Sequence, residues 1–333
     1  MEESLHFGPL LLVASLAFVV PLILARIPAI PVVVGEIFAG ILIGTSGFQL
    51  VHEGELSLAI LSEIGFAFLM FLSGLEFDFS VLTRPRAARK EGEVNPLKPA
   101  LWNFLATVAI AIPVGFILVN QELARDPWMM ALILSTTSLG IVVPVLKERG
   151  LSSSRFGQTT IVAALMADFF TMLLITVYVS LLAQGLSMEI TLIGVLFVAF
   201  LLTYRLGLAQ IRRPGVRRLI QSLEAATSQI KVRGAIALML AFVVLAEFVN
   251  VELILGAFLA GAVVALLSTR DDEGLREKMD AIGYGFFIPI FFIMVGVNFD
   301  LQLLLDSPRA LLLAPALLVV AMLIKIIAAL VFK

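Results

Sequence analysis

One carboxylate stands near the middle of a long apolar run. Between Phe156 and Ala183 the only acidic side chain is Asp168, in Met166-Ala167-Asp168-Phe169-Phe170. A helix crosses about 30 Å of hydrocarbon in roughly 20 residues, which puts Asp168 close to mid-depth. An ionisable group there costs at least about 2.5–3.5 kcal/mol and is kept mainly where it lines a polar cavity, an ion path or a proton relay. The alternative is a protonated core acid hydrogen-bonded to a neighbouring helix. A second polar group lies just upstream, where Ser135-Thr136-Thr137-Ser138-Leu139-Gly140 is followed by Pro144. Hydroxyls bond back to the backbone while glycine and proline loosen it, so the stretch is expected to unwind. Discontinuous helices of this kind offer free carbonyls and half-helix ends to an ion near the midplane. An unbroken helix with its hydroxyls bonded internally and to neighbours is the other reading. Only a short basic loop separates the two stretches, so they are expected to be antiparallel neighbours that bring the hydroxyls to Asp168. A third charge, Lys325, lies in Ala321-Met322-Leu323-Ile324-Lys325-Ile326-Ile327. It either snorkels to the interface along its apolar stem or turns its ammonium inward to a polar site.

The elements that must hold these residues are membrane helices. Hydrophobic residues make up 60% and charged residues 14% of the 333, with a mean hydropathy of +1.07, far from the balance of a soluble domain. The fold class is therefore an all-α polytopic membrane protein in the lipid bilayer. The absence of cysteine excludes disulfides, thiolate metal sites and cysteine nucleophiles. His6 and His52 lie near expected span ends, which argues against a histidine metal cluster. No cofactor and no nucleic-acid partner are expected. The acidic start, Met1-Glu2-Glu3-Ser4, lacks the basic region of a cleaved signal peptide, so the first span is expected to be retained.

Apolar runs bounded by charges and turn residues give eleven expected spans, roughly 7–25, 29–50, 55–77, 98–119, 128–147, 156–183, 189–205, 234–250, 252–268, 282–298 and 308–332. With the N-terminus outside, 20 of the 23 Lys and Arg fall in inner loops, against Arg125 and Arg309 outside and Lys325 within the membrane. The excess of basic residues in cytoplasmic loops therefore predicts an external N-terminus, in a cell membrane. Gly35, Gly40, Gly44, Gly256 and Gly261 are expected to let helix backbones approach closely. Glu36, Glu63 and Glu76 are read as structural acids. The segment Arg205 to Arg233, with seven basic residues among apolar ones, is expected to lie along the inner surface.

At this point the chain resembles the second cation:proton antiporter family, which includes Na⁺/H⁺ and K⁺/H⁺ exchangers. The resemblance rests on Val34-Gly35-Glu36 through Gly40 with Gly44, Phe71-Leu72-Ser73-Gly74-Leu75-Glu76, Thr137-Ser138 followed by Leu146-Lys147-Glu148, Leu255 to Gly261, Pro289 to Gly296, and Lys325. It implies an inverted-repeat antiporter fold with a dimerisation domain and a mobile core transport domain, assembled as a homodimer. On that basis 1–97 and 234–305 would belong to the dimerisation domain. Residues 98–188, and 306–333 with Lys325, would belong to the core, and 189–233 would form a linker helix and a basic cytosolic segment. The family's second interrupted helix and final span would follow residue 333. The sequence is thus expected to be a fragment, and a C-terminal cytosolic regulatory domain would also lie beyond it. Electrogenic members carry two adjacent aspartates. Here Ala167 replaces the first, which resembles electroneutral members and leaves the partner of Lys325 undetermined.

The resemblance implies that Asp168 holds either a proton or a desolvated Na⁺ or K⁺. Oxygen ligands suit such hard cations, and Thr136, Thr137 and nearby carbonyls are expected to complete the shell, with Lys325 as a core-domain charge. Competition for one carboxylate would give 1:1 exchange by alternating access, without enzymatic activity. An intramembrane aspartyl protease would need two facing aspartates, and no second one is expected at mid-depth. A non-transporting receptor or scaffold on the same fold is the remaining alternative.

Overall fold

The computed structural model describes residues 7–27, 30–52, 55–76, 97–183, 188–211, 229–249, 253–268, 273–306 and 308–330. The N-terminal Ser4, Glu252, Lys333, the basic loop at 77–96 and most of the expected surface segment, 212–228, lie outside them. The described elements are helical: α1 (Phe7–Leu24), α2 (Val32–Ile43), α3 (Leu56–Glu76), α4 (Leu97–Asn120), α5 (Pro127–Ser135), α6 (Leu139–Glu148) and α7 (Arg155–Ala183). They continue with α8 (Met188–Ile211), α9 (Ile230–Phe248), α10 (Leu253–Leu267) and α11 (Glu273–Ile282). A π-turn, Gly283–Phe287, joins α11 to α12 (Ile288–Val297), and α13 (Leu301–Leu305) and α14 (Pro308–Leu330) follow. Seven continuous stretches among the described residues are long and apolar enough to cross a membrane, counting α5 with α6 and α11 with α12 as single spans. Shorter apolar helices cover Val32–Ile43, Gly194–Ala209 and Leu253–Leu267. The chain is a multi-pass membrane protein.

The second expected span is shorter than its apolar run. Pro31 enters α2 in an extended conformation, with φ −60° and ψ 144°, and Gly44 leaves it extended. Proline has no N–H to give and is suited to a helix start. The apolar residues beyond Gly44 belong to a loop closed by a Phe48 N–H bond to the Leu42 carbonyl at 2.7 Å. Hydropathy counts such residues without knowing that the backbone has turned.

The chain divides into two compact units. The first comprises 1–76 and 191–301 and is built on backbone-to-backbone helix contacts. On α2 and α12, Gly40 and Gly296 face one another. A Cβ on Gly40 would strike the Ile293 carbonyl oxygen, and one on Gly296 would strike that of Ile37. Between α3 and α10, Gly74 lies against the Phe258 carbonyl and Gly261 against that of Phe71. Backbone cannot swing aside as a side chain can, and without a hydrophobic drive between lipid-embedded helices such close packing supplies much of the association. Phe66 and Phe291 stack beside these contacts at 4.7 Å. Glu76, at the end of α3, is buried and forms an ion pair with Arg276 at 3.4 Å. Glu36 is buried as well, whereas Glu63 is exposed.

The second unit comprises 77–190 and 302–333 and holds α4, α5, α6, α7 and α14. Gly115 of α4 lets the Pro127 carbonyl at the start of α5 approach the α4 backbone. Ala111, Leu118, Ala131, Leu134 and Ile324 form the core that joins α4, α5 and α14. The other face of α14 is exposed along Leu312, Leu318, Met322 and Leu330, as a hydrocarbon-facing surface requires. Asp168, Thr136, Thr137 and Lys325 all belong to this unit.

Candidate ion site

The site is made by a break in one membrane span. Helix α5 begins at Asp126, whose carboxylate accepts from the Met129 N–H at 2.9 Å as an N-cap, with Pro127 at the first helical position. It stops at Thr136, which is extended (φ −64°, ψ 151°). Ser138 is also extended (φ −66°, ψ 110°), and α6 starts at Leu139 without a side-chain cap from Ser138. Hydroxyl side chains compete for local backbone hydrogen bonds, and three consecutive ones, Thr136, Thr137 and Ser138, sit where the helix unwinds.

The break leaves two half-helix ends of opposite polarity inside the unit: carbonyls at the C-terminal end of α5 and N–H groups at the N-terminal end of α6. Each end meets a charge of opposite sign. Asp168, projecting from α7, takes the place of a cap on α6. Its Oδ2 accepts the Leu139 N–H at 2.6 Å and its Oδ1 accepts the Thr136 hydroxyl at 3.2 Å. Lys325, from α14, serves the other end, where its Nζ donates to the Thr136 carbonyl and to Thr137 Oγ1, both at 2.6 Å, and to the Ser135 carbonyl at 3.3 Å. Charges placed against helix ends in this sense are favourable by about 0.3–1 kcal/mol each, and by up to about 2 kcal/mol when partly buried.

Thr136 belongs to both halves: its hydroxyl meets Asp168 and its carbonyl meets Lys325. Thr137 instead faces the lysine. Lys325 therefore does not snorkel away, and the partners left undetermined by the sequence are the two end carbonyls of α5 and a threonine hydroxyl. Ala167, which precedes Asp168 on α7, is buried and apolar.

Thr171, not singled out from the sequence, completes the arrangement. It lies one turn beyond Asp168 on α7, is 2% exposed, and donates to the Ala167 carbonyl at 2.6 Å. Its Oγ1 is 3.2 Å from that of Thr136. The i, i+3 spacing from Asp168 is the signal that could have found it, because such residues share a helix face.

At the other end of α5, the Tyr178 hydroxyl of α7 donates to Asp126 Oδ2. That bond, followed by the Met129 N–H, holds the Asp126 carboxyl below the usual carboxylate range. Its contribution is present above the ordinary carboxylate pKa and is lost as pH falls through the lowered value, so the α5 cap is intact at neutral pH.

Chemically, the site offers a carboxyl group, a hydroxyl and unwound backbone beside the Lys325 amino group, with oxygen ligands suited to a hard monovalent cation or a proton. Residues 14–333 match the family described as sodium/hydrogen exchanger, transmembrane. The chain is 40% identical over 324 residues to the Bacillus subtilis protein named "Putative Na(+)/H(+) antiporter YjbQ", covering 96% of this chain and 52% of that protein. It is 30% identical to the Enterococcus hirae "Na(+)/H(+) antiporter", covering 81% of this chain and 67% of the relative. To the "Glutathione-regulated potassium-efflux system protein KefC" of Salmonella arizonae it is 29% identical, covering 94% and 48%. The chain thus spans about half the length of the Bacillus and Salmonella relatives. With its match running over nearly the whole length, the chain belongs to the sodium/hydrogen exchanger family.

Proposed function

We propose that this chain belongs to a secondary antiporter that exchanges one monovalent cation for one proton at Asp168. The observation that carries the reading is the charge-matched helix break, where Asp168 caps α6 and Lys325 caps α5. Ionised Asp168, with Thr136 Oγ1 and an unwound backbone carbonyl, forms the cation site, and protonated Asp168 is the proton-loaded form. Both occupants need the same carboxylate, so each excludes the other. If the empty carboxylate crosses poorly, exchange is obligatory. Thr137 acts with Lys325 on the α5 end and not as a cation ligand. The second unit, which holds these residues, is assigned as the mobile core, and the first as the dimerisation unit of a homodimer.

Sodium is the favoured cation because the Bacillus and Enterococcus relatives are named for it. Potassium is the second reading, supported by the name of the Salmonella relative. In proteoliposomes of the full-length protein, an outward Na⁺ gradient is expected to drive proton uptake, and a parallel K⁺ gradient ranks the two ions. Absence of protein-dependent proton movement with both ions would defeat the proposal.

An N-terminus on the outer face of the cell membrane is supported by the 20-to-2 asymmetry of loop basic residues. These 333 residues contain no cysteine, so a single Ser4→Cys substitution in this chain is expected to react with an impermeant thiol reagent on intact cells. Labelling only in inverted vesicles would reverse the topology.

A further inference from the structure

Thr136 faces a conflict that its own side chain cannot resolve. In the ionised, empty site its one hydroxyl hydrogen points at Asp168 Oδ1, 3.2 Å away. A cation bound by Asp168 and Thr136 needs the lone pairs of Thr136 Oγ1, and a hydrogen aimed at the carboxylate would lie against the positive charge. The hydrogen must then turn away from Asp168 and find another acceptor, because leaving a partly buried donor unpaired is costly.

The oxygen placed to accept it is Thr171 Oγ1, 3.2 Å from Thr136 Oγ1. Thr171 has its own hydrogen bound to the Ala167 carbonyl at 2.6 Å. A hydroxyl has one donor and two acceptor lone pairs, so a Thr171 that has already donated presents only lone pairs to Thr136. The Asp168 carbonyl, 3.1 Å from Thr171 Oγ1, is a second acceptor for the Thr171 hydrogen. That hydrogen can therefore stay within α7 whichever way Thr136 turns. Burial of Thr171 to 2% exposure leaves little room for water to replace it.

We infer that Thr171 is a positioning residue for cation binding: it accepts the Thr136 hydroxyl hydrogen when the cation enters, and so frees the Thr136 oxygen to become a ligand. The inference rests on the proposed cation site at Asp168 and Thr136 and adds a residue that never touches the ion. Thr171 therefore sets cation affinity through Thr136, and leaves the barrier for moving the loaded core unchanged.

The test uses the full-length protein in proteoliposomes, with the exchanged ion, Na⁺ or K⁺, varied at fixed pH. Thr171→Val keeps the shape of the side chain and removes the acceptor. It is expected to raise the apparent KM for the cation by about 5–30-fold, the equivalent of one buried hydrogen bond, with maximal rate within about twofold. Thr171→Ser, which keeps the oxygen, is expected to restore wild-type KM. In a Thr136→Val background, adding Thr171→Val is expected to change KM no further, since the residue through which Thr171 acts is gone. Unchanged KM in Thr171→Val, or equal losses in the presence and absence of the Thr136 hydroxyl, would overturn the inference. Asp168→Asn separates the two levels. If it keeps exchange, the site itself is misassigned; if it abolishes exchange while Thr171→Val leaves KM unchanged, only the role of Thr171 fails.

Discussion

Cation-driven proton flux is expected to fall to the level of protein-free liposomes when Asp168 is replaced by asparagine. The amide has nearly the shape of the carboxylate, and its oxygen can still accept the Leu139 N–H that Asp168 Oδ2 accepts at 2.6 Å. It can neither bind a proton in this pH range nor balance the charge of a cation. The N-terminal end of α6 keeps a hydrogen-bond partner, so stability should move by no more than about 1–2 kcal/mol, the difference between a charged and a neutral acceptor. A folded protein with no flux therefore separates lost chemistry from lost structure. Thermal unfolding in detergent and proton flux, measured on the same preparation, check the two halves. Residual flux well above the protein-free level would move the exchanged proton to another group.

Depth and chemical type are legible in a membrane sequence because hydrocarbon makes every exception expensive. Asp168 and Lys325 stand out for that reason, and the run Ser135 to Gly140 marks the break through the competition of its hydroxyls with the helix. The glycines of α2, α3, α10 and α12 are legible as contact points, and the structure places Gly40 against Gly296 and Gly74 against the Phe258 carbonyl. Rotation about a helix axis is another matter. Thr136 and Thr137 are adjacent and chemically identical, and only the dihedrals of the break turn one hydroxyl to Asp168 and the other to Lys325. The same blindness hid Thr171, whose importance depends on which face of α7 meets the unwound segment. The apolar run around α2 outlasts the helix itself, because Phe48, Leu50 and Val51 are apolar but follow the turn at Gly44. Glu76, read from the sequence as a structural acid, is buried against Arg276.

The second large effect expected concerns charge. Ala167 leaves one carboxylate at the site, and Lys325 is bonded to the end of α5 and to Thr137, so it is treated as a fixed charge. In the proposed cycle, the proton-loaded site carries neutral Asp168 beside a protonated Lys325. The cation-loaded site carries an ionised Asp168 neutralised by its cation beside the same ammonium. Both loaded forms have the same net charge, and one cycle trades one positive charge for another. A membrane potential is worth about 2.3 kcal/mol per charge per 100 mV, a driving force that an electrogenic cycle would feel and this one would not. A lysine that released its proton during the cycle would break the equality.

Net proton flux under voltage alone is the most direct measure of this account. The full-length protein is reconstituted with equal Na⁺, K⁺ and pH on both sides, and the potential is clamped with a lipophilic ion. The account predicts no protein-dependent proton flux at 100 mV of either sign, and clear flux in the same vesicles once a gradient of the exchanged cation is applied. Flux driven by voltage alone and lost in Asp168→Asn would contradict one-for-one exchange on a single carboxylate, and would make Lys325 the second charge to test.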